Sequence, residues 1–176
     1  MKRAGPRKGR PSEADLRRRE GEGEGPWYAD GLRFTCTRCG TCCKGPDPGH
    51  VFLDDAEAER MAEVLGLSLE EFARRYLRRV EGDRVSLIER ANHDCVFWAD
   101  EGGCQVYEAR PSQCREFPFW PENLTSPTAW DVPAAYCPGM NRGRLYSQAE
   151  VERIAEGKRA TRSGPKRPAK RLPSTA

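Results

Sequence analysis

Apolar positions in this chain come in short, separated runs, and the longest stretches without them lie at the two ends. In "DDAEAERMAEVLGL", Met61, Val64, Leu65 and Leu67 recur at near-helical spacing behind an acidic start. Asp54 or Asp55 would cap such a helix, the acidic first turn suits its dipole, and Gly66 can close it. "SLEEFARRYLRRV" follows. Ser68 and Glu71 form a capping box, and Leu69, Phe72, Tyr76, Leu77 and Val80 make one apolar stripe. Arg74, Arg75, Arg78 and Arg79 then fall on a solvated face, paired with Glu70 and Glu71.

The period changes after this. Gly82-Asp83 marks a turn, and Val85, Leu87 and Ile88 predict a short strand. A hairpin is expected around Asp100 to Gly103. The short helix after it has Pro111 in its first turn and ends at Pro118. Residues 121–146 hold Pro121, Pro127, Pro133 and Pro138 and read as irregular. Ser147 and Glu150, a second capping box, open a last short helix over Val151 and Ile154. The expected fold class is α+β: a small, irregular, metal-organised domain with short helices and a small hairpin.

Charge divides the chain in the same places. Residues 1–26 carry 8 Lys/Arg against 5 Asp/Glu, and 157–176 carry 7 Lys/Arg and no acid. Between them, 27–156 hold 15 basic and 22 acidic residues. Both ends lack the apolar surface that would offset ordering entropy, so 1–26 and 157–176 are expected as disordered tails around a domain at 27–156. An acidic body argues against duplex recognition as the central task, leaving nucleic acid only weak contacts through the tails. A protein partner or substrate is expected instead. No apolar run reaches the length of a membrane span or of a secretory leader, so the expected compartment is the cytoplasm.

That compartment decides how the cysteines read. All eight lie in 27–156, as C-x2-C-x2-C-C (Cys36, Cys39, Cys42, Cys43), then Cys95, Cys104, Cys114 and Cys137. Reduced thiols at such density point to metal or redox chemistry rather than disulfides. The x2 spacing lets two thiolates reach one cation at ~2.3 Å, and Gly40 can take the positive φ that such a turn needs. Adjacent side chains in extended backbone diverge, so Cys42 and Cys43 are expected to serve different sites, or one to ligate while the other supports it. Cys36, Cys39 and Cys42 with a distal thiolate would form one site, and Cys43 would join the rest in a second. Thiolate-only ligation suits an iron–sulfur cluster or zinc. Cys137-Pro138 parallels the distal ligand of bacterial ferredoxins, and Cys39-Gly40 parallels zinc knuckles.

"CTRCGTCC", "CVFWADEGGCQVYEARPSQCREFPFW" and "YCPG" together resemble the YkgJ-type cysteine-cluster family, across roughly residues 33–140. All eight cysteines fall at motif positions, as do Tyr107, Arg110, Pro111, Arg115, Phe117 and Pro118. The resemblance implies a zinc- or iron-chelating domain, often iron–sulfur. In larger relatives it implies a link to lysine methylation of flagellin. The expected function is therefore a metal-binding cysteine-cluster protein, with iron–sulfur in a redox or protein-modification-accessory role. The alternative is a zinc-binding structural or interaction module without catalysis.

The neighbours have plainer readings. His93, two residues before Cys95, is expected near the site without replacing a thiolate, and His50 is expected on the surface. Phe97, Trp98, Tyr107, Phe117, Phe119 and Trp120 read as core packing around the second cysteine block. Arg110 and Arg115 are placed either toward thiolates or in pairs with Glu108 and Glu116. "GEGEGP" lacks a Walker lysine, and there is no H-E-x-x-H or nucleophile elbow, so no motif assigns a catalytic residue.

Overall fold

The computed structural model describes residues 25–162, apart from 46, 81 and 83. Chain entry is set by β1, Leu32–Phe34, whose two apolar residues point inward. Asp54 then accepts the Glu57 N–H at 2.8 Å while the Glu57 carboxylate accepts the Asp54 N–H at 3.1 Å. This reciprocal cap opens α1, Asp55–Val64. Gly66, at φ 66°, ends it, with the Leu67 N–H bonded back to the Ala62 carbonyl. Ser68 and Glu71 cap α2, Leu69–Tyr76, as expected.

The stripe assigned to α2 is cut short. Leu77–Val80 is a strand, β2, paired antiparallel with β3, Arg84–Leu87, across a turn containing Gly82 at φ 74°. Cross-strand bonding overrides the helical period here, and Arg78 leaves the helix face to meet Glu89 at 3.1 Å. The hairpin around Asp100 to Gly103 is present as β4, Trp98–Ala99, and β5, Gly103–Cys104. A one-turn 3-10 helix, Tyr107–Ala109, leads into α3, Ser112–Glu116, with Pro111 at the cap position and Pro118 just beyond its end.

Residues 121–146 are not irregular. A 3-10 turn at Pro121–Leu124 precedes α4, Pro127–Ala134, and β6, Met140–Tyr146. Ser126 caps α4 through the Ala129 N–H at 3.1 Å, and Pro127 occupies its first position, where the missing N–H costs nothing. β6 forms because β1, over a hundred residues earlier, pairs with it antiparallel. The last helix, α5, Gln148–Arg162, runs past residue 156. Otherwise the expected tails, 1–26 and 157–176, lie outside the described residues except for Gly25 and Pro26.

The architecture is α+β, with short helices and, among the described residues, three two-stranded antiparallel sheets. Two hydrophobic clusters organise it. One gathers Leu32, Phe34, Phe117, Phe119, Trp130, Met140 and Val151; the other gathers Met61, Phe72, Leu87, Phe97 and Val106. Glu57, 4% exposed, ties α1 to the start of α3 by accepting the Ser112 N–H at 2.6 Å and facing Arg115 at 3.7 Å. No helix among the described residues is long and apolar enough to cross a membrane.

Candidate metal centre

Backbone bonds bring the cysteine segments together. The Thr35 N–H donates to the Gly139 carbonyl at 3.1 Å, joining the first cysteine loop to the segment of Cys137. A Cβ at residue 139 would stand 2.2 Å from the Thr35 oxygen, so only glycine permits that approach. Gly40 takes φ 75°, and a Cβ there would lie 2.0 Å from the Trp98 ring. The loop then tightens into a 3-10 turn at Thr41–Cys43, with the Cys43 N–H bonded to the Gly40 carbonyl at 2.8 Å. The Cys43 carbonyl in turn accepts the Cys95 N–H at 2.8 Å, so the two cysteine blocks meet directly. Cys104 sits in β5 opposite Trp98, Cys114 lies in α3, and Cys137 follows α4 with its N–H on the Pro133 carbonyl at 2.9 Å.

All eight cysteines line one cavity of about 340 Å³. All are free thiols. Cys36, Cys39 and Cys42 are exposed at one side, Cys43, Cys95, Cys104 and Cys114 are half-buried, and Cys137 is buried. Among the described residues no three His, Cys, Asp or Glu side chains close on a single-ion position; the thiols ring a wider space. Phe97, Trp98, Tyr107, Phe117 and Trp120 line it too, whereas Phe119 packs in the first hydrophobic cluster.

Charge in this cavity is contested. Cys42 is held down at about 7 because the Cys43 thiol hydrogen-bonds its sulfur; the desolvating walls oppose this, and Arg110 adds to it. Cys43 is pushed far up for the same reason, with burial and the charges of Cys95 and Cys114 added. For Cys39 burial works upward, but hydrogen bonds from Thr41 and Thr37 prevail and lower it, with the Thr41 hydroxyl 3.3 Å from the sulfur. Burial raises Cys95, Cys104, Cys114 and Cys137, and neighbouring thiolates raise each further. Without a cation most of these groups therefore favour the thiol form, and eight thiolates would need positive charge among them.

Three expectations are refined. The backbone at Cys42 and Cys43 is a 3-10 turn rather than the extended chain from which their divergence was argued. His50 is exposed, as expected, and also lines the cavity, as does His93. His50 arrives there because Gln113 of α3 donates to its carbonyl at 2.8 Å. Arg115 turns to Glu57, and Glu108 pairs with Arg38 at 3.5 Å, leaving Arg110 on the cavity wall.

The chain matches the family described as "CxxCxxCC: Putative zinc- or iron-chelating domain" over residues 35–138. It belongs to this family. The matched segment begins just before Cys36 and ends just after Cys137, so the CxxCxxCC domain contains the whole thiol cavity. A relative, an uncharacterized protein of Methanocaldococcus jannaschii, is 26% identical over 133 residues, covering 73% of this chain and 70% of its own length. No solved structure matches. Metal binding through a cysteine cluster, with zinc or iron as the metal, is the activity that family membership supports.

Proposed function

We propose that the eight thiolates hold iron–sulfur, and that the protein works in the cytoplasm as an electron carrier or as an accessory to modification of a protein partner. The observation that carries this is the single cavity of about 340 Å³ with every cysteine on its wall. Eight sulfur donors share its wall with six aromatic side chains and with aliphatic and charged residues, and a donor set of thiolates suits such clusters. When bound, an iron–sulfur centre supplies one-electron transfer. The protein's own residues do the rest: the thiolates ligate, Trp98 and Phe117 keep water from one side, and Cys36, Cys39 and Cys42 leave the other side open to a partner.

Backbone bonds suggest a division of the ligands. The Thr35–Gly139 bond joins the first cysteine loop to the segment of Cys137, and the Cys95–Cys43 bond joins Cys43 to the second block, although the charge of Cys42 bears on Cys95, Cys104 and Cys114 as well as on Cys137. Cys36, Cys39, Cys42 and Cys137 would then form one set and Cys43, Cys95, Cys104 and Cys114 the other.

A second reading has its own support. Gly40 at φ 75° directly after Cys39 makes the turn of a zinc knuckle, which favours structural zinc and an interaction module. Anaerobic purification, an absorption spectrum and iron, zinc and sulfide analysis separate the two. Brown protein with reducible visible absorption and acid-labile sulfide supports iron–sulfur. Colourless protein with stoichiometric zinc replaces it with the second reading, and folded protein with neither metal ends both.

A further inference from the structure

Three side chains of lysine or arginine line the thiol cavity: Arg38, Lys44 and Arg110. Two are already paired. Arg38 faces Glu108 at 3.5 Å, and Lys44 holds Asp100 at 2.7 Å. Arg110 makes no ion pair among the described residues, and its Nε is buried without a hydrogen-bond partner. A buried N–H without an acceptor is destabilising, so its retention calls for an acceptor that arrives later.

The rest of the residue is firmly placed. Its guanidinium carbon lies 3.5 Å from the centre of the Tyr107 ring, its carbonyl accepts from the Arg115 guanidinium, and Pro111 restricts the backbone after it. It shares the cavity wall with thiols from every cysteine segment. Eight thiolates also carry more negative charge than two divalent cations neutralise.

We propose that Arg110 is a positioning residue for the metal centre, its Nε–H donating to a metal-bound cysteine thiolate of the cavity while the Tyr107 ring holds the guanidinium in place. The inference rests on the cavity being a metal centre, with either iron–sulfur or zinc. It assigns Arg110 two effects: it offsets thiolate charge, and it lowers electron donation from one sulfur to the metal.

The test uses the full chain with the metal it carries on anaerobic purification. Arg110→Met and Arg110→Lys are compared with wild type in three measurements. These are the circular-dichroism melt, the half-time of metal loss to EDTA, and the thiolate-to-metal charge-transfer band. Arg110→Met is expected to keep the fold, lose metal roughly 10–100-fold faster and shift the band. Arg110→Lys is expected to fall between, because a point charge replaces the planar donor. Wild-type release and an unmoved band in folded Arg110→Met overturn the proposal. Should Arg110→Met fail to fold, Arg110→Lys decides: release faster than wild type with a shifted band supports the proposal, and wild-type values overturn it. Wild type without metal would defeat the metal-centre reading itself. Metal-loaded wild type with an indifferent Arg110→Met defeats this inference alone.

Discussion

The two hydrophobic clusters beside the thiol cavity are assembled in opposite ways. The first is aromatic and long-range: Phe34 meets Phe117 and Phe119 edge-on, each at 6.1 Å, and Phe119 stacks on Trp130 at 5.8 Å. It closes only when β1 finds β6, more than a hundred residues away. The second is local, built between Val51 and Ala109 from small residues such as Ala58 and Ala62 around Met61 and Phe72. Each contributes thiols to the same cavity. Cys137 belongs to the first, Cys95 and Cys104 pack against the second, and the loop of Cys36 to Cys43 starts at β1 and ends on Cys95. Metal ligated across the cavity would therefore couple a core of long-range contacts to one of shorter range.

Withdrawing the metal is the strongest way to break that coupling. Structural metals in small cysteine domains contribute on the order of 10 kcal/mol to folding. Calorimetry of the metal-loaded protein should show one transition, and reducing chelation should lower it and split it in two, with the first cluster melting first. A single transition unmoved by chelation would show that the clusters need no metal to act together.

Single Cys→Ser substitutions sharpen the same comparison by asking which thiols cross it. Metal analysis should sort the eight variants into two groups, Cys36, Cys39, Cys42 and Cys137 against Cys43, Cys95, Cys104 and Cys114. Each group should retain the other group's metal. Uniform loss across all eight would mean one indivisible centre.

Core truncations come next. Phe119 and Phe72 are both buried, in the first and second clusters respectively. Truncating either to alanine should cost about 3–5 kcal/mol. In metal-loaded protein both should shift the shared denaturant transition. In metal-free protein Phe119→Ala should move only the earlier transition and Phe72→Ala only the later one. If either variant moves both, the clusters are one core.

What the sequence made legible follows the same local and non-local divide. The caps at Asp54, Ser68 and Ser147, the stop at Gly66 and the hairpin before Cys104 could all be read, because each is decided within a few residues. The convergence of the cysteines was legible too, since their chemistry demands company. β2 was hidden because Leu77 and Val80 satisfy a helical stripe as well as a strand, and only pairing with β3 decides. β6 and β1 were invisible for want of any local signal; each is a strand only beside the other. The place of His50 on the cavity wall and the 3-10 turn at Cys42 and Cys43 escaped for related reasons, one depending on a distant glutamine and one on a turn read as extended chain.

Glu57 is the polar link between the clusters' supporting elements, and its loss should be intermediate in size. Alanine there removes the acceptor of the Ser112 N–H and the partner of Arg115, at a site 4% exposed. Leaving a buried donor unmade costs about 1–3 kcal/mol, and the lost cap adds to it. Urea titration of Glu57→Ala should show a loss of about 3 kcal/mol, and Cys114, carried on α3, should exchange its metal faster. Glu57→Gln keeps an acceptor and should recover most of the stability.

The smallest effect distinguishes backbone strain from the contact that seats the cysteine loop on the β4–β5 hairpin. Gly40 and Gly66 hold nearly the same left-handed conformation, at φ 75° and 66°. Alanine at either pays the left-handed penalty of roughly 1–2 kcal/mol. Around Gly66 nothing lies within 4 Å of an added Cβ, whereas at Gly40 the new atom would meet the Trp98 indole at 2.0 Å. That ring is held by its N–H on Asp100 at 3.1 Å, so it can yield only by giving up the bond. Gly66→Ala should therefore lower stability alone, leaving tryptophan emission and metal retention at wild-type values. Gly40→Ala should add a shifted emission maximum and faster metal loss, because the displaced ring carries the turn of Cys39, Cys42 and Cys43 away from Cys95. Equal behaviour of the two variants would show that the loop does not depend on Trp98 for its place at the cavity.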